Sequence, residues 1–179
     1  MQSNKPIILF IIKFFISYMI MVGLYSYYLG KTQVKETLYS CSPVTSRVAN
    51  QTANMISFFG YKANIEQHQD ELSLKVFVNN KYVSRVIEGC NSVSIIILFL
   101  AFIIAFSGSL KATIIYGIIG SILIYITNIF RIAILSIGIL EYPKHQEILH
   151  SLVFPAIIYG MVFLLWIIWV NKLSNFKKS

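Results

Sequence analysis

Long apolar runs separated by polar segments dominate the pattern of this chain. The first run, Ile7–Leu29, has 23 residues and contains a single charge, Lys13. At about 1.5 Å per residue, a helix of this length crosses the roughly 30 Å of hydrocarbon in a bilayer. The run is too long for the core of a signal peptide, and no small-x-small cleavage site follows it. We therefore predict a first transmembrane helix here.

Three more apolar runs occupy the second half of the chain. They predict a second helix over Asn91–Leu110, a third over Ala112–Phe130 with an interfacial or partly buried extension at Ile132–Leu140, and a fourth over Leu152–Val170. The predicted fold class is an all-α membrane protein with about four transmembrane helices and a small extracytoplasmic α+β segment between the first two.

The segment from Lys31 to Glu88 is the only substantial polar stretch. Its first half, Cys41–Phe59, has the weak apolar periodicity of an amphipathic helix, with Val44, Val48, Met55 and Phe59 as candidate inward positions. Its second half alternates as strands do: Leu74–Val78 places three apolar residues on one face, Asn79–Lys81 offers a turn, and Tyr82–Val86 returns. This pattern predicts a small β-hairpin that leads directly into the second helix.

The composition agrees with a membrane location. Hydrophobic residues make up 56% of the chain and charged residues 12%, and the mean hydropathy is +0.70. A soluble domain of 179 residues does not bury that much apolar surface. The net charge of +8 does not indicate nucleic-acid binding, because many of the lysines adjoin apolar runs and act there as orientation signals.

The short basic flanks predict the orientation of the chain. In a four-helix threading, six lysines fall on one side of the membrane, and short basic flanks stay cytoplasmic: Lys5, Lys13, Lys111, Lys172, Lys177 and Lys178. We expect a multi-pass protein of the cell inner (cytoplasmic) membrane with both termini cytoplasmic. Its three parts are helix 1 (1–30), an extracytoplasmic segment (31–89) and a three-helix membrane core with a basic cytoplasmic tail (90–179).

This threading brings three chemically capable residues to one membrane depth. Cys90 lies at the outer entrance of the second helix, and His150 at the outer entrance of the fourth. Arg131 follows the cytoplasmic start of the third helix by about 19 residues, roughly 29 Å. All three are predicted to face outside, and the Cys90 sulfur is expected within about one water of His150, with Arg131 beside both.

Each of these residue types has a role in acyl transfer. A cysteine thiolate is a nucleophile, and a helix N-terminus such as the one expected at Cys90 stabilises it. Histidine can accept the thiol proton and later protonate the leaving amine. Arginine stays charged and can donate hydrogen bonds to a developing oxyanion. Asn128 lies three residues before Arg131 on the same helix face and could orient its guanidinium.

Other residues compete for these roles. Cys90 could be a small core residue, and Arg131 and His150 could be interfacial residues with no chemistry. His145 is an alternative to His150, although its place in a loop makes it less fixed. Cys41 is interpreted as structural or free, and a disulfide between it and Cys90 would block the nucleophile. His68 is expected to be solvated. No spacing of metal ligands is present, so neither a metal nor a cofactor is expected.

The candidate residues resemble the motifs of a known family. Glu88-Gly89-Cys90-Asn91-Ser92 before an apolar helix, Asn128-Ile129-Phe130-Arg131 in the next, and His150 before the last are similar to the exosortase/archaeosortase family. The short length resembles its compact branch, the type F exosortases. Many members carry Cys-Ser-Gly where this chain has Cys90-Asn91-Ser92, and larger members have about twice as many helices.

The resemblance implies a membrane-embedded cysteine protease or transpeptidase. Such an enzyme would cut C-terminal sorting signals, each made of a short motif, a transmembrane helix and a basic tail, on membrane-anchored exported proteins. By matched position, its Cys–Arg–His set would be Cys90, Arg131 and His150. Two alternatives remain open: a non-catalytic scaffold or assembly subunit of an export pathway, and a small transporter or channel. A transporter would want ionisable groups near the middle of the membrane, whereas here they cluster at one interface.

Overall fold

The computed structural model describes residues 5–33, 40–106 and 108–174, and within these ranges all side chains except those of His145, Gln146, Leu149, His150 and Phe154. The main helices are α1 (Lys5–Thr32), α2 (Pro43–Phe58), α3 (Val93–Ala105), α4 (Leu110–Glu141) and α6 (Phe154–Ile168). A single turn, α5 (Gln146–Ile148), follows α4, and π-helical turns at Leu149–Val153 and Trp169–Leu173 flank α6.

Within the described ranges, three helical segments are long and apolar enough to cross a membrane: Lys5–Thr32, Leu110–Glu141 and Ser151–Leu173. The predicted fold class is confirmed: the chain is mostly helical, with a small antiparallel sheet between its helices. The second predicted span is shorter than expected. As α3 it has 13 residues, about 20 Å, because a 3₁₀ turn precedes it and the chain turns again before α4.

Helix α4 runs without a break through Arg131, and the segment after Arg131 is the partly buried extension that the sequence analysis allowed. The 32 residues of α4 extend about 48 Å, well beyond the hydrocarbon thickness. The end beyond Arg131 is apolar because it packs against protein: Ile132, Ala133 and Leu135 are buried among residues of α2 and the sheet.

Helix α2 confirms the predicted amphipathic helix. Ser42 caps it by accepting a hydrogen bond from the Thr45 N–H, and Pro43 occupies the first turn, where a missing N–H costs nothing. Val48 and Ile56 are fully buried. Phe59, predicted to face inward, is exposed because it follows the end of the helix.

The sheet contains the predicted hairpin and one further strand. Its strands are β1 (Ala63–Gln67), β2 (Ser73–Val78) and β3 (Lys81–Ile87), all antiparallel in the order β1-β2-β3. Asn79 and Asn80 both have positive φ, at 50° and 63°, and so form the tight connection that suits the twist of a hairpin. The sequence analysis did not identify β1, a short strand with alternate residues exposed.

Two apolar cores organise the molecule. The outer core lies between α2, the sheet and the end of α4, with Val48, Val76, Val86 and Ala133 among its members. The second core joins α3, α4 and α6 and includes a completely buried Trp169. Helix α1 has no buried residue and packs along α3, where aromatic rings from both helices meet: Phe10, Phe102 and Phe106.

Candidate active site

Cys90 is the last residue of the 3₁₀ turn Glu88–Cys90, which joins β3 to α3. Its thiol is free and partly exposed. The N-cap of α3 is Ser92, so Cys90 lies two residues before the cap. The sequence analysis expected Cys90 at the N-terminus of the helix itself. The nucleophile candidate is therefore held by the turn and its hydrogen bonds.

Glu88 anchors that turn to the start of α2. Its carboxylate accepts hydrogen bonds from the Ser42 N–H at 2.5 Å, the Ser42 hydroxyl at 2.8 Å and the Thr45 hydroxyl at 2.6 Å. Burial by itself would raise the pKa of Glu88, but the bonds from Ser42 and Thr45, with a further one from Gln33, outweigh it and lower the pKa. The carboxylate stays charged beside the N-terminus of α2, where the helix dipole also favours it.

Asn91 fixes the other side of Cys90. Its amide nitrogen donates to the hydroxyls of Tyr25 at 2.7 Å and Thr45 at 2.9 Å, and its carbonyl accepts from the Val93 N–H at 3.0 Å. It therefore ties α1 and α2 to the first turn of α3. Ser92, the next residue, has a φ of +64°. The backbone on both sides of Cys90 is thus held by groups that are themselves buried or hydrogen-bonded.

Asn128 connects Cys90 to Arg131. Its amide nitrogen donates to the Cys90 carbonyl at 2.7 Å, and its carbonyl accepts from the Arg131 guanidinium at 3.3 Å. This confirms the predicted contact between Asn128 and Arg131 and adds a second one, to the cysteine. The Arg131 Nε is buried and has no hydrogen-bond acceptor among the described residues, so the guanidinium retains donor capacity.

Cys90 and Arg131 line one cavity of about 210 Å³. Strand β3 and helix α4 form its walls, and a hydrogen bond of 2.8 Å between the hydroxyls of Ser84 and Ser136 joins them. The complete lining consists of Tyr82, Val83, Ser84, Arg85, Cys90, Arg131, Ile132, Leu135 and Ile139. A thiol and a guanidinium in one small cavity are suited to attack on a carbonyl and stabilisation of the resulting oxyanion.

His150 belongs to the π-helical turn Leu149–Val153, which contacts α4. Its side chain, like that of His145, lies outside the described part of the chain. The expected distance between the Cys90 sulfur and the His150 ring therefore stays a prediction, as does the choice between His150 and His145.

The two other candidate residues lie elsewhere. Cys41 is only 3% exposed and belongs to the outer core, and its thiol is free. Burial, with a smaller contribution from the charge of Glu88, raises the pKa of Cys41 to about 11, so its thiol stays protonated at neutral pH. His68 accepts a hydrogen bond from the Asp70 N–H inside its own turn. Neither residue lines the cavity.

The sequence analysis missed the residues that hold the Cys90 turn: Tyr25, Ser42, Thr45, Glu88 and Asn91. A partial signal for two of them was present in the sequence, because the polar residues Glu88 and Asn91 lie close to Cys90 on either side. Their partners come from α1 and from the start of α2, more than 40 residues away along the chain. Only the folded arrangement shows that these groups meet.

Comparison with known proteins identifies a family and a relative. Residues 8–171 match the family model described as transmembrane exosortase. The chain is 26% identical over 177 residues to the probable archaeosortase E of Methanocaldococcus jannaschii, a match that covers 99% of this chain and 85% of the relative. No solved structure matches. Because the family model covers nearly the whole chain, including every element of the cavity, this protein belongs to the transmembrane exosortase family.

Proposed function

We propose that this protein is a membrane-embedded cysteine endopeptidase and transpeptidase that cleaves the C-terminal sorting signals of exported proteins. Membership of the exosortase family implies a transpeptidase that processes sorting signals. The observation that carries the finer assignment is the hydrogen-bonded link through Asn128, which holds Cys90 and Arg131 at one cavity.

The proposed reaction uses three side chains. The Cys90 sulfur attacks the scissile carbonyl while His150 accepts the thiol proton, and Arg131 donates hydrogen bonds to the oxyanion. The tetrahedral intermediate collapses to a thioester on Cys90, and His150 protonates the amine of the departing C-terminal fragment. An amine acceptor, or water, then attacks the thioester and restores the thiol.

The proposed substrate is a membrane-anchored protein with a C-terminal transmembrane helix and a basic tail. Its helix would dock laterally against the helices of the enzyme, with the scissile bond at the level of Cys90. The length of 179 residues supports assignment to the compact type F branch.

We further propose that both termini are cytoplasmic, that residues 31–89 are extracytoplasmic and that residues 90–179 carry the catalytic helices. The positions of the short basic flanks support this orientation in the inner membrane. A maleimide that does not cross membranes should label the partly exposed Cys90 in cells whose inner membrane is accessible and intact. If Cys90 were labelled only after the membrane is permeabilised, Cys90 would face the cytoplasm and the proposed orientation would be wrong.

Substitution of the nucleophile tests the function. In cells that carry Cys90→Ala or Cys90→Ser, the substrate should keep its C-terminal helix and tail, and it can be identified by mass spectrometry as the exported protein that accumulates in that form. Cys41→Ala is the matched control, because Cys41 is buried away from the cavity, and its cells should process the same protein normally. Normal processing in Cys90→Ala cells would leave the scaffold function as the better account.

A further inference from the structure

Strand β3 is an edge of the sheet. It pairs with β2 on one side, and no backbone hydrogen bond to its other side is found in the part of the chain that the structure describes. Every second residue of an edge strand directs its N–H and C=O groups away from the sheet, where they can pair with an added strand. A β-bulge at Val83 interrupts this alternation between Tyr82 and Ser84, so the free side of β3 offers its backbone donors and acceptors on both sides of that residue.

The cavity that contains Cys90 runs along this free edge. Its lining includes residues from both faces of β3: Tyr82 and Arg85 are exposed, whereas Val83 is buried and Ser84 bonds to α4. No residue of β2 lines the cavity. A cavity that contacts both faces of a strand without contacting its partner lies at the unpaired edge.

The dimensions suit an extended peptide. Tyr82 and Arg85 are separated by about 10 Å along β3, at roughly 3.3 Å per residue. On the opposite wall, Arg131 and Ile139 are separated by about 12 Å along α4, at 1.5 Å per residue. Three or four extended residues fill that length. A helix is about 10 Å across and has its own backbone groups paired, so it suits neither the width of the cavity nor the hydrogen-bonding groups of the strand.

We propose that the free edge of β3 binds the substrate residues immediately before the scissile bond as an added parallel strand. This inference rests on the proposed function. Strand β3 runs towards Cys90 and then into α3. The substrate also runs from its exported part, through the scissile bond, to its transmembrane helix. Because both chains approach the membrane in the same direction at the same cavity, the added strand is parallel to β3.

Backbone pairing gives this site a defined chemistry. Main-chain hydrogen bonds hold a peptide of any sequence in one register, and alternate side chains then provide the selectivity. The register would place the scissile carbonyl within reach of Cys90 and Arg131, which lie at the end of the cavity nearest α3. The edge strand thus positions the substrate for the reaction without entering the chemistry.

Disulfide trapping tests the site and its direction. The probe is the protein that accumulates unprocessed in Cys90→Ala cells, carrying one cysteine at successive positions before its transmembrane helix. The full-length Cys90→Ala enzyme carries Tyr82→Cys or Arg85→Cys. Asn64→Cys, exposed on β1 at the other edge of the sheet, is the control. We expect disulfides with positions 82 and 85 and not with position 64. The probe residue that couples to position 85 should be the one nearer to its helix.

The opposite order along the probe would overturn the parallel direction. Equal coupling to position 64, or no coupling at positions 82 and 85, would overturn the site itself.

A second assay uses the unsubstituted enzyme and so does not depend on the folding of a variant. Synthetic forms of the same probe carry a single N-methyl group at each residue before the scissile bond in turn. We expect kcat/KM to fall about three- to tenfold at every second position, as one backbone hydrogen bond is lost, and to change little between them. A profile without this alternation contradicts strand addition. Failure of the unmethylated probe to be cleaved in a Cys90-dependent way would instead contradict the proposed function.

Discussion

At the scale of single residues, the link between Cys90 and Arg131 depends on the chemistry of one amide. Asn128 donates a hydrogen bond through its nitrogen and accepts one through its oxygen, and both partners belong to the candidate site. It is almost completely buried, with 1% of its surface exposed. A carboxylate of the same shape could accept from Arg131 but could not donate to the Cys90 carbonyl.

Asn128→Asp should therefore disturb the position of Cys90 while preserving the contact with Arg131. We expect kcat to fall about ten- to a hundredfold with a smaller change in KM, since a buried carbonyl loses its donor and faces a negative charge. Steady-state kinetics on a purified sorting-signal substrate measure the changes in kcat and KM separately. Asn50→Asp, an exposed substitution on α2, is the control. An unchanged kcat for Asn128→Asp would show that the bond does not position the cysteine.

The residue scale also shows what the sequence could supply. Cys90 was identifiable because it immediately precedes an apolar run, and Arg131 because it is the single charge inside one. The backbone conformation of Ser92 could not be identified from the sequence. Its φ of +64° lies in the left-handed region that glycine adopts without strain. This gives a physical reason for the glycine that, by the resemblance, many exosortases carry at the matching position. Ser92 adopts the same conformation against the steric penalty of its Cβ atom.

At the scale of elements, Glu88 joins the Cys90 turn to α2. Its folded pKa is lowered, because the hydrogen bonds from Ser42 and its neighbours outweigh the effect of burial. The unfolded chain then binds more protons than the folded one at pH values between the lowered pKa and the ordinary value of 4.5. The contribution of Glu88 to stability is therefore complete above that ordinary value and is lost as the pH falls through the folded pKa.

Glu88→Gln should remove this part of the pH dependence. We expect the melting temperature of the unsubstituted protein in detergent micelles to fall more steeply below pH 4.5 than that of Glu88→Gln, as measured by tryptophan fluorescence. Glu66→Gln, an exposed change on β1, should leave the steep fall in place. Parallel curves for the protein and Glu88→Gln would mean that the carboxylate is not stabilised by the fold.

The contact between α3 and α4 requires a glycine. A Cβ atom added at Gly120 would lie 2.3 Å from Cζ of Phe99, whose ring is completely buried. The two helices can approach this closely only because Gly120 has no side chain. A Cβ at Gly160, which is exposed on α6, would meet nothing within 4 Å.

These two glycines form a matched pair. Gly120→Ala should destabilise the protein by about 1–3 kcal/mol, the usual range for overpacking a core. Gly160→Ala should be neutral or slightly stabilising, since alanine is the better helix former by up to about 1 kcal/mol. Thermal or denaturant unfolding in micelles measures both. Equal stability of the two variants would mean that α3 and α4 do not approach each other at Gly120 as closely as the structure shows.

The ends of a helix were predictable where the whole apolar segment has the same surroundings in the folded protein. Helix α1 makes its main contacts along α3 and has no buried residue, and its predicted bounds agree closely with the structure. Helix α4 passes from one core into the other without a change in its apolar character, so its sequence did not show whether the extension beyond Arg131 lies at the interface or is buried in protein. Strand β1 was missed because only its pairing with β2 defines it.

At the scale of the whole molecule, the account depends on how the outer core is built around the Cys90 turn. Helix α2, the sheet and the end of α4 form that core, and the cavity lies where β3 and α4 diverge beside Cys90. The class of fold followed from hydropathy, and residue chemistry suggested Cys90, Arg131 and His150 as candidates, of which the structure places Cys90 and Arg131 at one cavity. The hydrogen-bonded residues that hold the Cys90 turn could not be predicted, because they come from four separate segments of the chain.

The most direct test of the central claim is the mass of the enzyme during turnover. On rapid acid quench after mixing with substrate, the enzyme should gain the mass of the N-terminal substrate fragment, bound at Cys90 as a thioester that hydroxylamine releases. Cys41→Ala should form the same adduct, and Cys90→Ala should form none. Cleavage that continues in Cys90→Ala, with no adduct on the unsubstituted enzyme, would contradict the assignment of Cys90 as the nucleophile.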